Sequence, residues 1–462
     1  MTLIKSISGI RGTVGGGPGE NFTPLDIVKF SAAYGAWLKE RGNEKTVVVV
    51  GRDARISGGM VSSLVCATLN GMGIEVIDMG LSTTPSIEMA IVREKATGGI
   101  IITASHNPIQ WNALKLFNQQ GEFISGEAGK IILAKADQND FLFAETLSLG
   151  KITQQTDSIE KHIEAVLAYP LVDKKAIQNA GLRVVVDAVN STGGLAVPAL
   201  LKALGVEVKA INCEPTGHFA HNPEPLPDHL GAIMTEVPKL QYDLGIVVDP
   251  DVDRLVLISE DGSPFGEEYT LVAVADYYLQ HKPGSTVSNL SSSRALKDIT
   301  EKHGQTYYAS AVGEVNVVEK MKEKGATIGG EGNGGIIVSD FHYGRDALIG
   351  IALFLTHLVK SGVKCSKLRA GYPQYHISKN KIELDSQFDL DDILNKIAQK
   401  YSNYSVNRED GVRIDFESEW VHLRKSNTEP IVRIISESPS ASTSETISKK
   451  FISDIRDIIN DK

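Results

Sequence analysis

Ser105 lies in the stretch TASHNP, Thr103 to Pro108, straight after the apolar run GGIII. A loop at the end of a buried strand presents its hydroxyl outward, and Asn107-Pro108 restricts the turn behind it. Serine is a weak nucleophile and needs a base, a metal or a pre-made covalent state. Lys115, in NPIQWNALKLF, is a candidate general acid or base if burial or cationic neighbours lower its pKa. A solvated lysine is the plain alternative. His106 reads as a residue that shapes the loop, because adjacent loop side chains rarely face each other.

A second constellation is DPDVDR. Asp249, Asp251 and Asp253 alternate after the apolar run LGIVV. Three hard oxygen donors on one loop suit Mg²⁺, and buried carboxylates repel one another without a cation. The spacing also invites comparison with a calcium EF-hand, with Glu260 in twelfth place. That reading fails, because Arg254 stands where the tight turn needs glycine and the flanks look like strands. Arg254 fits better as a contact to a phosphoryl oxygen.

Near the C-terminus, RKSNTEPIVR offers Ser426, Asn427 and Thr428 as donors around a turn, with Arg424 and Arg433 at its ends. Hydroxyls, backbone amides and guanidinium groups are what a phosphate needs. In GGEGNGG, Glu331 and Asn333 stand among glycines that admit a ligand to the backbone. Carboxylate and amide could bind sugar hydroxyls there, though a plain glycine turn reads equally well. Arg11, in GIRG, is a further candidate beside the reacting group. A nucleophile, a metal cage and a phosphate pocket together describe phosphoryl transfer.

The elements that must position these loops recur three times. TVVVVGRDAR, GIEVIDMG and GGIIITASHNP form one set. LRVVVDAVNSTGG, GVEVKAIN and YDLGIVVDPDVDR form the next, and STVSNLSSSRAL, GQTYYASAVGEVNV and ATIGGEGNGG a fainter third. Short apolar runs between Gly-rich turns and helical stretches imply buried strands in α/β units. Ligands collect at the C-terminal ends of such strands. Three similar domains could therefore aim three polar loops into one cleft. From about residue 373 the pattern alternates apolar and polar, as half-exposed antiparallel strands do. The expected organisation is three similar α/β domains with mixed sheets, at 1–152, 153–257 and 258–371, plus a smaller C-terminal α+β domain at 372–462. Linkers are expected near 150–156, 256–262 and 371–373.

The whole chain sets bounds. Its 462 residues are too many for one core. A net charge of −10 leaves no basic footprint for nucleic acid. No apolar run approaches a membrane span and the N-terminus lacks the apolar core of a signal peptide, so a cytoplasmic location is expected. Cys66, Cys213 and Cys365 are widely spaced and read as inert buried thiols.

These motifs resemble the α-D-phosphohexomutase superfamily of phosphomannomutases, phosphoglucomutases and phosphoglucosamine mutases. The likeness runs along nearly the whole chain in order: GIRG, TASHNP, DPDVDR, the Gly-Glu loop and RKSNTEPIVR. It implies four domains around a central cleft and a phosphoserine at Ser105. It also implies Mg²⁺ held by Asp249, Asp251 and Asp253 with that phosphate, and Lys115 and Arg11 beside the transfer site. The expected substrate is a small sugar phosphate, with a hexose 1,6-bisphosphate as activator and a monomer or homodimer as the working form. Many relatives end the sugar loop in serine-glycine-histidine, where this chain has Asn333, Gly334 and Gly335. His342 and Arg345 are candidates to stand in for that histidine. The GEGNGG form tilts the expectation toward phosphoglucosamine mutase, with a broad phosphomanno/glucomutase as the alternative. A serine-dependent sugar phosphatase is a remote third reading.

Overall fold

The computed structural model describes residues 2–6, 9–41, 45–384, 388–425 and 431–460. Four sheets organise the chain. In the first unit Gly98–Ile102, Val47–Arg52, Glu75–Leu81 and Ile152–Gln154 run parallel, in that spatial order. Trp111–Phe117 lies antiparallel beside Gly98–Ile102, and Gly9–Thr13 and Ile4–Ser6 extend that side.

The second and third units repeat the same plan with four strands each. Leu255–Ser259, Leu244–Val248, Arg183–Asp187 and Glu207–Ile211 stand side by side in one. Gly335–Val338, Ile328–Glu331, Thr286–Asn289 and Tyr307–Ser310 do so in the other. Each unit places its first strand centrally, its second on one side and its third on the other. After the third strand the chain turns into an antiparallel fourth. The expected triplication is real, and the polar loop of each copy sits at that reversal. The central strands are buried on both faces, as near-continuous Val and Ile runs require.

The C-terminal unit is an antiparallel sheet of His376–Glu383, Ile431–Ser438, Trp420–Lys425, Val412–Asp415 and Ser405–Asn407. Helices Leu390–Lys400 and Ala441–Asn460 pack their apolar residues into its core. Two expected boundaries fall inside strands. Ile152–Gln154 belongs to the first sheet, and Leu255–Ser259 completes the second hairpin. Linkers were expected there, but backbone pairing binds those residues into sheets.

The cores do not divide as the sheets do. The second and third units share one apolar core, from Ile159 through Val248 and Phe265 to Tyr372. The first and fourth units have cores of their own. The second and third units therefore form one fused block, and the first and fourth keep cores of their own. No helix among the described residues is long and apolar enough to cross a membrane.

Candidate active site

Ser105 takes a left-handed backbone conformation, φ 47°, directly after the buried strand Gly98–Ile102. A non-glycine residue there costs energy and must be held by its surroundings. Its amide donates to Thr103 Oγ1 at 2.9 Å, and the Thr103 hydroxyl donates to Asp53 Oδ2 at 2.6 Å. Asp53 in turn pairs with Arg55 Nε at 3.1 Å, with both side chains fully buried. The Arg55 guanidinium donates to the carbonyl oxygens of Ser105 and Asn107, at 2.6 Å each, and of Pro108 and Trp111, at 2.8 and 2.9 Å. One buried arginine thus fixes the Ser105 loop through its main chain.

The Ser105 hydroxyl donates to Asp249 Oδ2 at 2.7 Å, across 144 residues of sequence. His106 Nδ1 stands 3.4 Å from the same hydroxyl, so the adjacent ring does face the serine. Burial holds the imidazole well below its usual pKa, helped by the charges of Arg254, Arg345 and Lys115.

Asp249, Asp251 and Asp253 are completely buried, and one carboxylate oxygen of each lies within 4.8 Å of the others. Val252 between them is left-handed, φ 66°, which lets the loop fold its side chains inward. Asp249 Oδ1 accepts from the amides of Asp253 and Arg254, at 3.1 and 3.2 Å. Asp251 Oδ2 accepts from Lys115 Nζ at 2.6 Å and from Thr84 Oγ1 at 2.5 Å. Asp253 Oδ2 accepts from Arg345 Nη2 at 2.6 Å and Lys115 Nζ at 3.3 Å. The other oxygens, Asp251 Oδ1 and Asp253 Oδ1, are buried with no hydrogen-bond partner. Orphaned, convergent carboxylate oxygens fit a small hard divalent cation.

Burial and the neighbouring Asp253 and Asp251 push Asp249 well above the usual carboxylate range. Burial also pushes Asp253 up, but Arg345, Lys115 and Arg254 outweigh it and hold it low. For Lys115, burial is overcome by Asp251 and Asp253, so the amine is raised above its ordinary value. The expectation of a lowered lysine pKa is corrected: the carboxylates it meets lie more than 130 residues downstream.

The third polar loop reaches the same place through Arg345, which is 7% exposed. Its guanidinium contacts Asp253 at 2.6 Å, Glu314 at 3.0 Å, Glu331 at 3.0 Å and Asn333 Oδ1 at 3.4 Å. A side chain at position 335 would collide with it, since a Cβ there would sit 2.3 Å from Arg345 Cδ. Arg345 thus occupies the space beside Gly335. Glu331, expected to offer its carboxylate to sugar hydroxyls, spends both oxygens on protein donors. These are Asn289 Nδ2 at 2.8 Å, the Gly313 amide at 3.0 Å and Arg345. His342 is paired elsewhere, with Nε2 3.1 Å from Asp346 Oδ2 and Nδ1 3.4 Å from Glu88 Oε2.

Burial lowers Arg11, and the charge of Arg433, from the far end of the chain, acts in the same direction. Arg11 Nε is buried without a partner. Arg424 is already engaged, with Nε 2.8 Å from Asp410 Oδ2 in an ion pair whose geometry is not that of a hydrogen bond. Arg254 reaches the triad only distantly, with Nε 3.9 Å from Asp253 Oδ1. Ser426, Asn427 and Thr428 lie outside the described residues.

Family models described as phosphoglucomutase/phosphomannomutase α/β/α domains I, II and III match residues 3–143, 160–262 and 266–375. The C-terminal domain model of the same family matches 381–453. The chain belongs to the phosphoglucomutase/phosphomannomutase family. It is an isomerase of the phosphohexomutase class. A phosphoglucomutase/phosphomannomutase of Thermococcus kodakarensis is 37% identical over 444 residues, 95% of each chain. A phosphoglucosamine/phosphogalactosamine mutase of Sulfurisphaera tokodaii is 30% identical over 469 residues, covering both chains fully. The solved structure of a phosphoglucomutase/phosphomannomutase family protein from Burkholderia thailandensis superposes with a TM-score of 0.85, at 25% identity and 98% coverage of each chain.

Within this phosphohexomutase the fold brings Ser105, Lys115, the three aspartates and Arg345 into direct contact. It keeps His342 and Arg424 in other pairings. The sequence reading missed Asp53, Arg55, Thr84 and Glu314. Arg55 left a trace, a charged RDAR immediately after the first buried strand, but its partners are backbone carbonyls, which no sequence pattern marks.

Proposed function

We propose that this phosphohexomutase interconverts hexose 6-phosphate and hexose 1-phosphate through a phosphoserine at Ser105. The observation that carries the proposal is the Ser105 hydroxyl 2.7 Å from Asp249, at the mouth of a buried triad with two orphaned oxygens. The phosphoryl group on Ser105 Oγ passes to the free hydroxyl of the sugar monophosphate, giving a 1,6-bisphosphate. The bisphosphate turns over in the cleft, and Ser105 takes back the other phosphoryl group. Added hexose 1,6-bisphosphate activates by loading Ser105.

Mg²⁺ held by Asp249, Asp251 and Asp253 would supply charge neutralisation on the transferring group. Lys115 and Arg345, both cationic, place fixed positive charge at the same point. His106, held neutral, has its Nδ1 3.4 Å from the serine hydroxyl, farther than the Asp249 carboxylate at 2.7 Å. Arg11 and Arg433, with Ser426, Asn427 and Thr428, grip the phosphate that is not reacting, and Arg254 meets a phosphoryl oxygen. One serine and one grip serve both half-reactions, because the substrate reorients. Ser105→Ala is expected to lower kcat at least ~1000-fold, read by phosphorus NMR of the two monophosphates. Retention of full activity would refute the mechanism.

For the sugar, the lead reading is glucosamine phosphate, supported by the GEGNGG loop and by the name of the Sulfurisphaera relative. The neutral sugars glucose and mannose are the second reading. The Thermococcus relative favours it, and so does Glu331, whose carboxylate is already spent on three protein donors. A 2-ammonium group needs a carboxylate to receive it. Comparing kcat/KM for glucosamine 6-phosphate, glucose 1-phosphate and mannose 1-phosphate decides between them.

A further inference from the structure

Between the fused block and the fourth unit lies a cavity of about 580 Å³. Leu230 and Ile258 line it from the second unit, Phe265 and Tyr269 from the start of the third, and Ile377 and Ser444 from the fourth. Neither the aspartate triad nor the Ser105 loop contributes to its walls. Small-molecule sites have volumes of this order, and most are apolar with a few placed polar groups.

Two of the polar groups here are carboxylates, Glu268 on the helix Glu267–His281 and Glu437 on the strand Ile431–Ser438. Successive amides hold them. Ser293 N donates to Glu268 Oε2 at 2.8 Å, and Arg294 N to Glu437 Oε1 at 3.0 Å. Glu437 is completely buried, and Trp420 Nε1 also donates to its Oε1, at 2.7 Å. Glu437 Oε2 has no hydrogen-bond partner, the Ser293 hydroxyl falling short of that geometry. No hydrogen bond among the described residues reaches Glu268 Oε1. Burial raises both carboxyls above their ordinary range. Lys379 opposes the rise at Glu268, and the charges of Glu267 and Glu437 add to it. The neighbouring cations are engaged elsewhere. Lys379 Nζ meets Glu267 Oε1 at 2.8 Å. Arg369 donates from Nε to the Phe265 carbonyl oxygen at 2.7 Å, with its guanidinium 3.3 Å from the centre of the Tyr269 ring.

We propose that this cavity binds an organic primary ammonium ion, its charged end at Glu268 and Glu437 and its apolar body against Leu230, Ile258, Phe265 and Ile377. Buried carboxylate oxygens without partners call for positive charge and for N–H donors, and an ammonium group supplies both. A bare Mg²⁺ or Ca²⁺ needs about six oxygen ligands, whereas aliphatic and aromatic side chains make most of these walls. Glu268 belongs to the third unit and Glu437 to the fourth, so the ligand bridges the two. Glu437 shares its strand with Arg433, and the bound cation therefore steadies the strand that carries part of the proposed phosphate grip. Glu268 also lies against the sugar loop, since a Cβ at position 332 would sit 2.0 Å from its Oε2. None of the residues lining the cavity takes part in the transfer proposed above.

Calorimetry of the full chain with phenethylamine, at about pH 8 and with excess Mg²⁺ so that the triad is not the amine's target, is expected to give a dissociation constant below ~1 mM. 2-Phenylethanol, the same body without the charge, is expected to bind at least ~10-fold more weakly, a comparison that needs no variant. Glu268→Gln keeps the shape of the side chain and is expected to weaken phenethylamine at least ~10-fold. Hydrogen exchange is expected to slow on binding at 264–269, 375–378 and 431–438 and to stay unchanged at 103–108. No binding at ~10 mM phenethylamine, equal affinity for the alcohol, a folded Glu268→Gln chain that binds as the wild type does, or slowing at 103–108 instead would each overturn the proposal. So would competitive displacement by glucosamine 6-phosphate, which would put the cation in the substrate cleft.

Discussion

Arg345 is the residue on which three loops depend. Its planar fork meets four acceptors on three segments, a geometry that a lysine ammonium cannot reproduce. Arg345→Lys keeps the charge but loses the simultaneous contacts, and is expected to lower kcat/KM about 10- to 100-fold while the chain stays folded. A variant with wild-type kcat/KM would show that the contacts do not position the site. The neighbouring Glu88 makes a second residue-scale case. Burial, then the charge of Glu314, raises its pKa well above the carboxylate range, and neither oxygen has a hydrogen-bond partner. Asp253 and Asp346 act in the same direction, Lys115 opposes them, and His342 approaches within 3.4 Å. The folded chain therefore keeps a proton that the unfolded chain loses near pH ~4.3. Stability attributable to Glu88 is full below that pH and falls as pH rises toward the folded value. Glu88→Gln should match the wild-type Tm near pH 4 and exceed it at pH 8, and equal Tm values at pH 8 would contradict the assignment. Ser105, Lys115 and the aspartates were legible in the sequence because their motifs are local. The Lys115 shift was not, because its sign depends on carboxylates that only folding brings near.

At the scale of elements, the strand Trp420–Lys425 ties the C-terminal unit to the third through His422. Its Nδ1 lies 2.9 Å from Ser291 Oγ and its Nε2 2.6 Å from the Asp410 carbonyl oxygen. Burial lowers this histidine to about 4, against the opposing pull of Asp410. A histidine with a depressed folded pKa supports the docked state above its unfolded value of ~6.5 and withdraws that support as pH falls toward 4. Hydrogen exchange in Trp420–Lys425 and around Ser291 is expected to quicken between pH 6.5 and 4.5, and His422→Asn to remove that dependence. Exchange that stays flat with pH in the wild type would refute it. The three repeated units were readable from their strand order because each ends its third strand in a polar loop. That the second and third share one core was not, since a valine run looks the same whether it packs within its own unit or against the next.

Across the whole molecule, charge links the two outer units, since Arg433 acts on Arg11. Arg11, on the first sheet, is lowered by the charge of Arg433, on the last, and an anion between the two guanidinium groups would offset that repulsion. A hexose bisphosphate should therefore draw the outer units together. Small-angle scattering is expected to show a smaller radius of gyration with glucose 1,6-bisphosphate than without, and no contraction in Arg433→Ala. A contraction of equal size in the variant would assign closure to other groups. The central block, with its shared core, gives the two outer units a fixed body to move against.

The same meeting of the two arginines has a consequence for how the protein comes into being. They are separated by 422 residues, so at 5–20 residues per second a ribosome needs roughly 20–80 s to pass from one to the other. Each of the first three sheets can form as it emerges, but the proposed phosphate grip exists only after the final sheet has left the exit tunnel. A nascent chain can thus be largely folded and wholly unable to turn over sugar phosphates, and a message broken late would yield a folded product with no activity.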